Sequence, residues 1–179
     1  NKTKMVAERA VLSYSDKISV QIVRPATVCG LSPRMRLDVS VNLLTMQALE
    51  KKVITVLGGD QTRPNIHIDD ITDLYLFFIQ NPEVTGVFNA GFENLSIMDI
   101  ATEICQYTGA EIDRKSSNDP RSYRVCSDKL LKTGFAPKKN VSTAIKEIIQ
   151  AYSEGKLINK DIFYNLKWMQ SMFNKKSVV

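Results

Sequence analysis

Few residue types in this sequence could carry out chemistry, and their spacing limits which chemistry is available. His67 is the only histidine, and the three cysteines, Cys29, Cys105 and Cys126, form no Cys-x-x-Cys pair. A structural zinc site takes four closely spaced ligands, mostly Cys and His, so we expect no metal. We interpret the cysteines as reduced core thiols, which suit a cytoplasmic protein, and His67 as a structural histidine.

Arginine offers a different kind of chemistry. Arg63 follows the turn Gly58-Gly59-Asp60, which itself follows the apolar run Val53–Leu57. A guanidinium group can donate two parallel hydrogen bonds to phosphate oxygens, whereas lysine offers only a point charge. The net charge of +5 also suits an anionic ligand. Because the basic residues are scattered rather than gathered along one helix, we expect no nucleic-acid partner.

The elements that must position these residues are helices interleaved with short strands. Apolar residues at helical spacing, with caps and stop signals, predict helices over 2–14, from about Asp38, from Asp69 or Asp70, from Ser96 to Gly109, over 127–133 and from Asn140. Runs rich in β-branched or alternating apolar residues predict strands at 18–23, 53–57, 65–68, 87–89, 111–114 and 122–126. Residues 26–37 are predicted to form a loop, and residues 157–173 a helical tail that covers an apolar surface.

Several common sequence features are absent. No Gly-x-Gly-x-x-Gly or Gly-x-x-Gly-x-x-Gly turn follows a predicted strand, so the dinucleotide fingerprint is absent from the chain. No apolar run approaches the roughly 18 residues that a membrane span needs, so we expect no membrane partner. The chain starts at Asn1, inside a helical pattern, and we expect it to be truncated.

Four segments carry a family resemblance through their order and spacing. They are NKTKMVAE at 1–8, RPATVCG at 24–30, SPRMRLDVSVNL at 32–43 and ITVLGGDQTRPNIHIDD at 54–70. Together they resemble the second half of extended short-chain dehydrogenase/reductase enzymes, in particular the NAD-dependent nucleotide-sugar epimerases and dehydratases. The fourth segment resembles the family pattern Gly-x-Gly-x-x-x-Arg-x-x-x-His-Val-x-Asp and is the most specific of the four.

The resemblance implies a fold and a division of the chain. The fold would be α/β, comprising the last parallel strands of a Rossmann-type domain and a small mixed α/β substrate-binding domain. Residues 1–30 would end the cofactor domain, residues 31–155 would form the substrate-binding region with interleaved Rossmann elements, and residues 156–179 would form a C-terminal helical tail. NAD or NADP would be bound mainly by an N-terminal half that this chain lacks.

The resemblance also implies roles on the cofactor side. Lys4 matches the lysine of the family's Tyr-x-x-x-Lys, whose tyrosine would stand immediately before Asn1. In the family this lysine holds the nicotinamide ribose, and a cation beside the tyrosine lowers its pKa, so Lys4 is the catalytic candidate. Residues Pro25, Ala26 and Thr27 would face the nicotinamide.

On the substrate side, the resemblance implies contacts with a nucleotide-diphosphate sugar. Arg63 would grip the pyrophosphate, and Thr27 would also face the substrate. Asp119 would accept a hydrogen bond from a ribose hydroxyl, and Arg121 would replace an arginine that the family carries near position 116. The remaining candidates are Asn42 and Leu43 for the diphosphate and Thr55 and Leu57 for the base pocket.

The activity implied is oxidation of a sugar carbon by the nicotinamide followed by return of the hydride, and epimerisation is favoured. A reductase or 4,6-dehydratase of the same superfamily remains an alternative, as does a non-catalytic relative that binds a dinucleotide. We expect the chain alone to be inactive and the intact protein to be a homodimer.

Overall fold

The computed structural model of the chain describes residues 2–117 and 119–176. Its α-helices in that part are α1 (Lys2–Leu12), α2 (Ser40–Lys51), α3 (Ile68–Gln80), α4 (Ile97–Thr108), α5 (Asp128–Leu131), α6 (Val141–Ser153) and α7 (Asn165–Lys176). Its strands are β1 (Gln21–Pro25), β2 (Thr27–Cys29), β3 (Val53–Leu57), β4 (Thr62–His67), β5 (Gly86–Ala90), β6 (Glu93–Ser96) and β7 (Glu111–Lys115). None of the described helices combines the length and the apolar character that crossing a bilayer requires.

Most strand pairs are parallel, and helices connect them. β1 pairs with β5 and β3 pairs with β7, both in parallel. β4 lies between β2, which is parallel to it, and β6, which is antiparallel. Because parallel neighbours need a long crossover, α2, α3 and α4 fall between paired strands in the sequence. The predicted α/β class is confirmed.

Local capping signals set several helix ends where the sequence predicts them. The Ser96 side chain accepts the Asp99 N–H while the Asp99 carboxylate accepts the Ser96 N–H, which is a capping box. Gly109 ends the same helix with φ +66°, a conformation that costs glycine little. The side chain of Asn140 accepts the N–H of Thr143 at the start of α6.

The predicted first strand and the loop after it are wrong in their limits. β1 begins at Gln21 rather than Ile18, and it continues through Pro25, two residues beyond the predicted end at Val23. β5 supplies partners along this whole stretch, since Pro25 lies opposite Ala90. Residues 27–29, predicted as loop, form β2 because β4 lies beside them as a parallel partner.

The predicted start of α3 is also wrong. His67, rather than Asp69 or Asp70, caps the helix by accepting the Asp69 N–H. Asp70 is buried instead, and its carboxylate accepts the N–H groups of Lys138 and Lys139 at 2.8 and 3.1 Å. A carboxylate held by two main-chain donors thus fixes the loop before α6.

Residues 122–126, predicted as a strand, have no regular secondary structure. They nevertheless lie beside the sheet formed by β2, β4 and β6, because the Asn94 side chain donates to the Val125 carbonyl at 3.0 Å and accepts its N–H at 2.8 Å. An asparagine side chain therefore replaces a main-chain partner, and no ladder forms. β6, which holds Asn94, is a strand that the sequence does not predict.

Three apolar clusters form the core. The first joins α2, α4 and α6 to β3, and the second packs α3 against β5 and α5. The third joins residues 31–38 to α2, α6 and the C-terminal tail, through Met35, Leu37, Met46, Ile148, Ala151 and Leu157. By contrast, α1 has no buried residue, so its apolar side chains Met5, Val6 and Val11 are exposed.

Candidate functional site

A cleft of about 500 Å³ lies where β1 ends and β2 begins. One side is formed by residues 25–30, which include the three residues predicted to face a cofactor, Pro25, Ala26 and Thr27. The other side is formed by α3 and by residues 31–38, from which Arg34 and Arg36 line the cleft. We call this cavity the strand-end cleft and residues 31–38 the arginine loop.

Glycine allows the main chain around the strand-end cleft to pack closely. A Cβ atom on Gly91 would lie 2.6 Å from the Cβ of Ala26, which is closer than carbon atoms can approach. A Cβ on Gly30 would lie 2.9 Å from Nε2 of His67, and Gly30 also has φ +109°. Neither position accepts a larger residue without displacing its neighbour, so this wall of the cleft has a fixed shape.

Asn42, predicted to contact a diphosphate, is only 2% exposed. Its Oδ1 accepts the Gly30 N–H at 3.1 Å, and its Nδ2 donates to the carbonyls of Gly30 and Arg36 at 3.4 and 2.9 Å. The side chain therefore holds the arginine loop near both of its ends. Leu43, the next residue, is half-buried on α2. Contacts of either residue with a ligand stay predictions.

A second group of charged residues, the Arg63 cluster, consists of Arg63, Asp119, Arg121 and Tyr123. The Arg63 side chain is 14% exposed, and its Nη2 donates to Oδ2 of Asp119 at 3.1 Å. Its Nη1 donates to the carbonyls of Thr62 and Arg121. The guanidinium also lies over the Tyr123 ring, 5.9 Å from its centroid.

Two guanidinium groups converge on the one carboxylate of Asp119. Arg121 donates from Nε to Oδ1 and from Nη2 to Oδ2, both at 2.7 Å, which is the bidentate geometry of an arginine–carboxylate pair. These bonds, with the charges of Arg121 and Arg63, hold the pKa of the Asp119 carboxyl well below its usual range. The cluster thus keeps one net positive charge, since two cations share one anion.

Lys4 is exposed on α1. The helix is tied to β1 by an ion pair in which Arg24 donates from both Nε and Nη2 to the Glu8 carboxylate. Glu8 lies four residues after Lys4 and so shares its helix face, and Arg24 directly precedes Pro25. The ion pair therefore joins to β1 the helix face that carries both Glu8 and Lys4.

The predicted site residues fall into separate groups. Pro25, Ala26, Thr27 and Asn42 lie together in the strand-end cleft, and Arg63, Asp119 and Arg121 lie together in the Arg63 cluster. Of the described residues that line the strand-end cleft, none belongs to α1, to β3 or to the Arg63 cluster. On β3, Thr55 is half-buried and Leu57 is 55% exposed.

His67 is buried within a hydrogen-bonded network, which agrees with its interpretation as a structural histidine. Its Nδ1 accepts the Asp69 N–H at 3.1 Å, so the ring proton is on Nε2, which faces Oε2 of Glu147 at 3.1 Å. Lys139 bridges the carboxylates of Asp69 and Glu147. These contacts lower the pKa of Asp69 and raise that of Lys139, and they join α3 to α6.

Sequence reasoning misses the tyrosine of the Arg63 cluster. The sequence carries a signal for it, because Tyr123 lies two residues after Arg121, and residues two apart in a strand point to the same side. What aligns the segment is the Ser122 hydroxyl, which accepts the Thr62 N–H at 3.1 Å, while the Tyr123 N–H donates to the Thr62 carbonyl at 3.3 Å. Both contacts join residues about 60 positions apart.

Comparison with known proteins gives a consistent picture. The model of the NAD dependent epimerase/dehydratase family matches residues 1–91, which is just over half of the 179-residue chain. A provisionally named anthocyanidin reductase of Ginkgo biloba is 25% identical over 158 residues, which are 83% of this chain and 46% of that protein.

Solved structures share the fold. A UDP-glucuronic acid 4-epimerase from Bacillus cereus, in complex with UDP-glucuronic acid and NAD, is 28% identical with a TM-score of 0.69, and the match covers 84% of this chain and 52% of that one. A UDP-N-acetylglucosamine 4-epimerase from Bacillus cereus is 20% identical with a TM-score of 0.72, and the match covers 84% and 54%. The chain thus spans about half the length of these proteins, and its fold is that of Rossmann-type short-chain dehydrogenase/reductase enzymes.

Proposed function

Because the chain belongs to the NAD dependent epimerase/dehydratase family, we propose that it supplies the substrate-binding half of an enzyme acting on nucleotide-diphosphate sugars. In this proposal the Arg63 cluster binds the diphosphate, and the strand-end cleft receives the nicotinamide end of NAD or NADP together with the sugar. The named ligands of the Bacillus cereus 4-epimerase, UDP-glucuronic acid and NAD, support this class of substrate and cofactor.

The observation that carries the proposal is the convergence of Arg63 and Arg121 on Asp119. A diphosphate has two anionic groups, and two guanidinium forks side by side match them better than separate lysines could. In the chain without ligand, the Asp119 carboxylate accepts hydrogen bonds from some of the N–H groups of Arg63 and Arg121. A bound diphosphate would take up the donors that face solvent, and Asp119 would still keep the two guanidinium groups adjacent.

The residues present fit only one end of a dinucleotide. Pro25, Ala26 and Thr27 give the cleft an apolar wall with one hydroxyl, which suits a flat nicotinamide ring, and Gly91 lets the main chain pack behind it. The cofactor, when bound, would accept and return a hydride. Lys4 would hold the ribose and favour the phenolate of a neighbouring tyrosine. Thr27 would orient the sugar.

Within this class we favour epimerisation, with reduction and 4,6-dehydration as alternatives. We also propose a homodimer, in which the exposed apolar side chains of α1 would be covered. Light scattering on the protein that contains this chain with its cofactor-binding half would test that assembly. A monomer at micromolar concentration would rule it out.

The ligand class can be tested on the chain itself by calorimetry. We expect UDP to bind more tightly than uridine, because the diphosphate supplies the groups that the arginines contact. We also expect a random-sequence DNA duplex to bind more weakly than UDP at 0.15 M salt. Equal affinity for UDP and uridine would contradict the assignment of the Arg63 cluster. A strongly salt-dependent preference for the duplex would instead indicate a nucleic-acid-binding protein.

Turnover is a separate question, because the chain contains no glycine-rich cofactor turn. We expect the purified chain to leave UDP-glucuronic acid unchanged in the presence of NAD, and a polypeptide that adds the cofactor-binding half to convert it. Conversion by the chain alone would show that the division of labour proposed here is wrong.

A further inference from the structure

The C-terminal segment, residues 157–173, packs onto the arginine loop that lines the strand-end cleft. Leu157 is 4% exposed and belongs to the same apolar cluster as Met35 and Leu37 of the loop. Phe163 and Tyr164 pack against this cluster from the side. The loop therefore has a hydrophobic support that comes from more than 100 residues further along the sequence.

Hydrogen bonds fix the position of the segment along the loop. The Leu37 N–H donates to the Phe163 carbonyl at 2.9 Å. The Asn165 N–H, at the start of α7, donates to Oδ2 of Asp38 at 3.0 Å, and Oδ1 of Asp38 accepts from Nε of Arg36 at 2.7 Å. An acidic side chain at a helix N-terminus is also favoured by the exposed N–H groups there. The arginine loop and α7 are therefore joined by both main-chain and side-chain contacts.

Arg34 is the point at which the segment meets the cleft. Its guanidinium lies over the Trp168 ring, with Cζ 5.3 Å from the centroid, and its Nη2 donates to Oδ1 of Asn165 at 3.2 Å. The same side chain lines the strand-end cleft. Stacking on an indole and one hydrogen bond restrict a flexible arginine to a small range of positions.

We propose that Asn165 and Trp168 are positioning residues that hold Arg34 at the mouth of the strand-end cleft, where its free N–H groups face an anionic group of the ligand. We call the packing of the C-terminal segment on the arginine loop the tie, and it is inferred from contacts within the chain alone. The identity of the ligand as a nucleotide sugar rests on the proposed function. The C-terminal segment is thus part of the binding site rather than an appendage of the domain.

The tie can be tested without any ligand. Trp168 is the only tryptophan of the chain, so the intrinsic fluorescence excited at 295 nm reports on its ring alone. Arg34→Gln should change the emission intensity and wavelength, whereas Arg9→Gln on α1, an equal change of charge, should not. Identical spectra for Arg34→Gln and the unaltered chain would overturn the proposal.

Hydrogen exchange gives an independent measurement at a defined atom. Trp168→Leu should speed exchange of the Leu37 amide about tenfold, the factor for about 1.4 kcal/mol, while the buried Ile104 amide in α4 keeps its rate. Trp168→Tyr, which retains an aromatic face, should restore much of the protection, and Met169→Ala should leave it unchanged. Unchanged Leu37 exchange in Trp168→Leu would refute the tie. Faster exchange at Ile104 as well would mean general destabilisation, and it would refute a local positioning role.

Affinity for UDP-glucuronic acid tests the role in binding. Arg34→Gln and Trp168→Leu should each weaken binding by about tenfold, the scale of a cation–π contact with a hydrogen bond. The double variant should bind little more weakly than either single one, because both remove the same contact. Full additivity or unchanged affinities would overturn the positioning role. Absence of binding by the unaltered chain would refute the proposed function, while the fluorescence and exchange results would still decide the tie.

Discussion

Replacement of Arg63 by alanine tests the assignment of the diphosphate site most sharply. The Arg63 side chain is only 14% exposed, and three of its contacts are internal, to Thr62, Asp119 and Arg121. A phosphate contact made by such a preorganised guanidinium is a charge-assisted hydrogen bond worth about 1.5–3 kcal/mol. We therefore expect Arg63→Ala to weaken UDP binding roughly 10- to 150-fold by calorimetry, since about 1.4 kcal/mol is tenfold.

Two controls separate a phosphate contact from a general loss of structure. Uridine lacks phosphate, so its affinity should be the same for Arg63→Ala and the unaltered chain. Arg63→Lys retains the charge but lacks the two parallel donors of a guanidinium group, so its affinity for UDP should lie between those of Arg63→Ala and the unaltered chain. The reasoning is refuted if UDP binds Arg63→Ala as tightly as before, or if uridine and UDP lose affinity to the same extent.

Four further predictions concern the framework of the site. Gly91→Ala should lower the free energy of unfolding by about 1–3 kcal/mol in urea denaturation, because the new Cβ would lie 2.6 Å from that of Ala26; a neutral effect would mean that this wall of the cleft is not rigid. Asn140→Ala should cost about 1 kcal/mol through loss of the α6 cap, again measured in urea, and an unchanged midpoint would contradict it. Cys126 is exposed, so its interpretation as a core thiol is wrong, and it should react quickly with a thiol reagent at pH 8, whereas the buried Cys29 should not react until the chain unfolds. Rapid labelling of Cys29 in the folded chain would contradict this burial. Burial also raises the pKa of the Cys29 thiol to about 12. The contribution of this thiol to the free energy of unfolding should therefore be complete below about pH 8.5, where the thiol of the unfolded chain ionises, and should fall as the pH rises towards 12.

The helices could be predicted from the sequence because their signals are local. The Ser96–Asp99 capping box, the αL residue Gly109 and the cap Asn140 each act within one helical turn, and all lie where the sequence places them. The start of α3 was missed because the polar residues there have two possible roles. The side chain of His67, rather than that of an aspartate, accepts the Asp69 N–H at the start of the helix. The Asp70 carboxylate instead accepts the Lys138 N–H in the loop before α6.

Strand limits could not be predicted in the same way, because a strand ends where its partner ends. Nothing local shows that Pro25 lies opposite Ala90, or that Asn94 takes up both hydrogen-bonding groups of Val125 so that residues 122–126 form no strand. Short parallel pairs depend on contacts tens of residues apart, which a single sequence does not reveal.

For the candidate site, the residue types can be predicted from the sequence, but which of these residues lie together depends on the fold. The family resemblance of residues 54–70 nominates Arg63 for a phosphate contact, but its joining to Arg121 through Asp119 depends on the fold. Trp168 was predicted only as part of a tail that covers apolar surface. Its stacking on Arg34 depends on the docking of that tail beside the strand-end cleft, a contact across 134 positions that no local pattern encodes.

The central proposal is that two groups with no described lining residue in common, the strand-end cleft and the Arg63 cluster, together form one site for one nucleotide sugar. It is tested most directly by titrating the ¹⁵N-labelled chain with UDP-glucuronic acid and following the amide resonances. The account predicts shifts at residues 27–34 of the cleft and at residues 63 and 119–123 of the cluster, with a single dissociation constant. Shifts in only one region, different constants for the two regions, or shifts centred on another surface would contradict it.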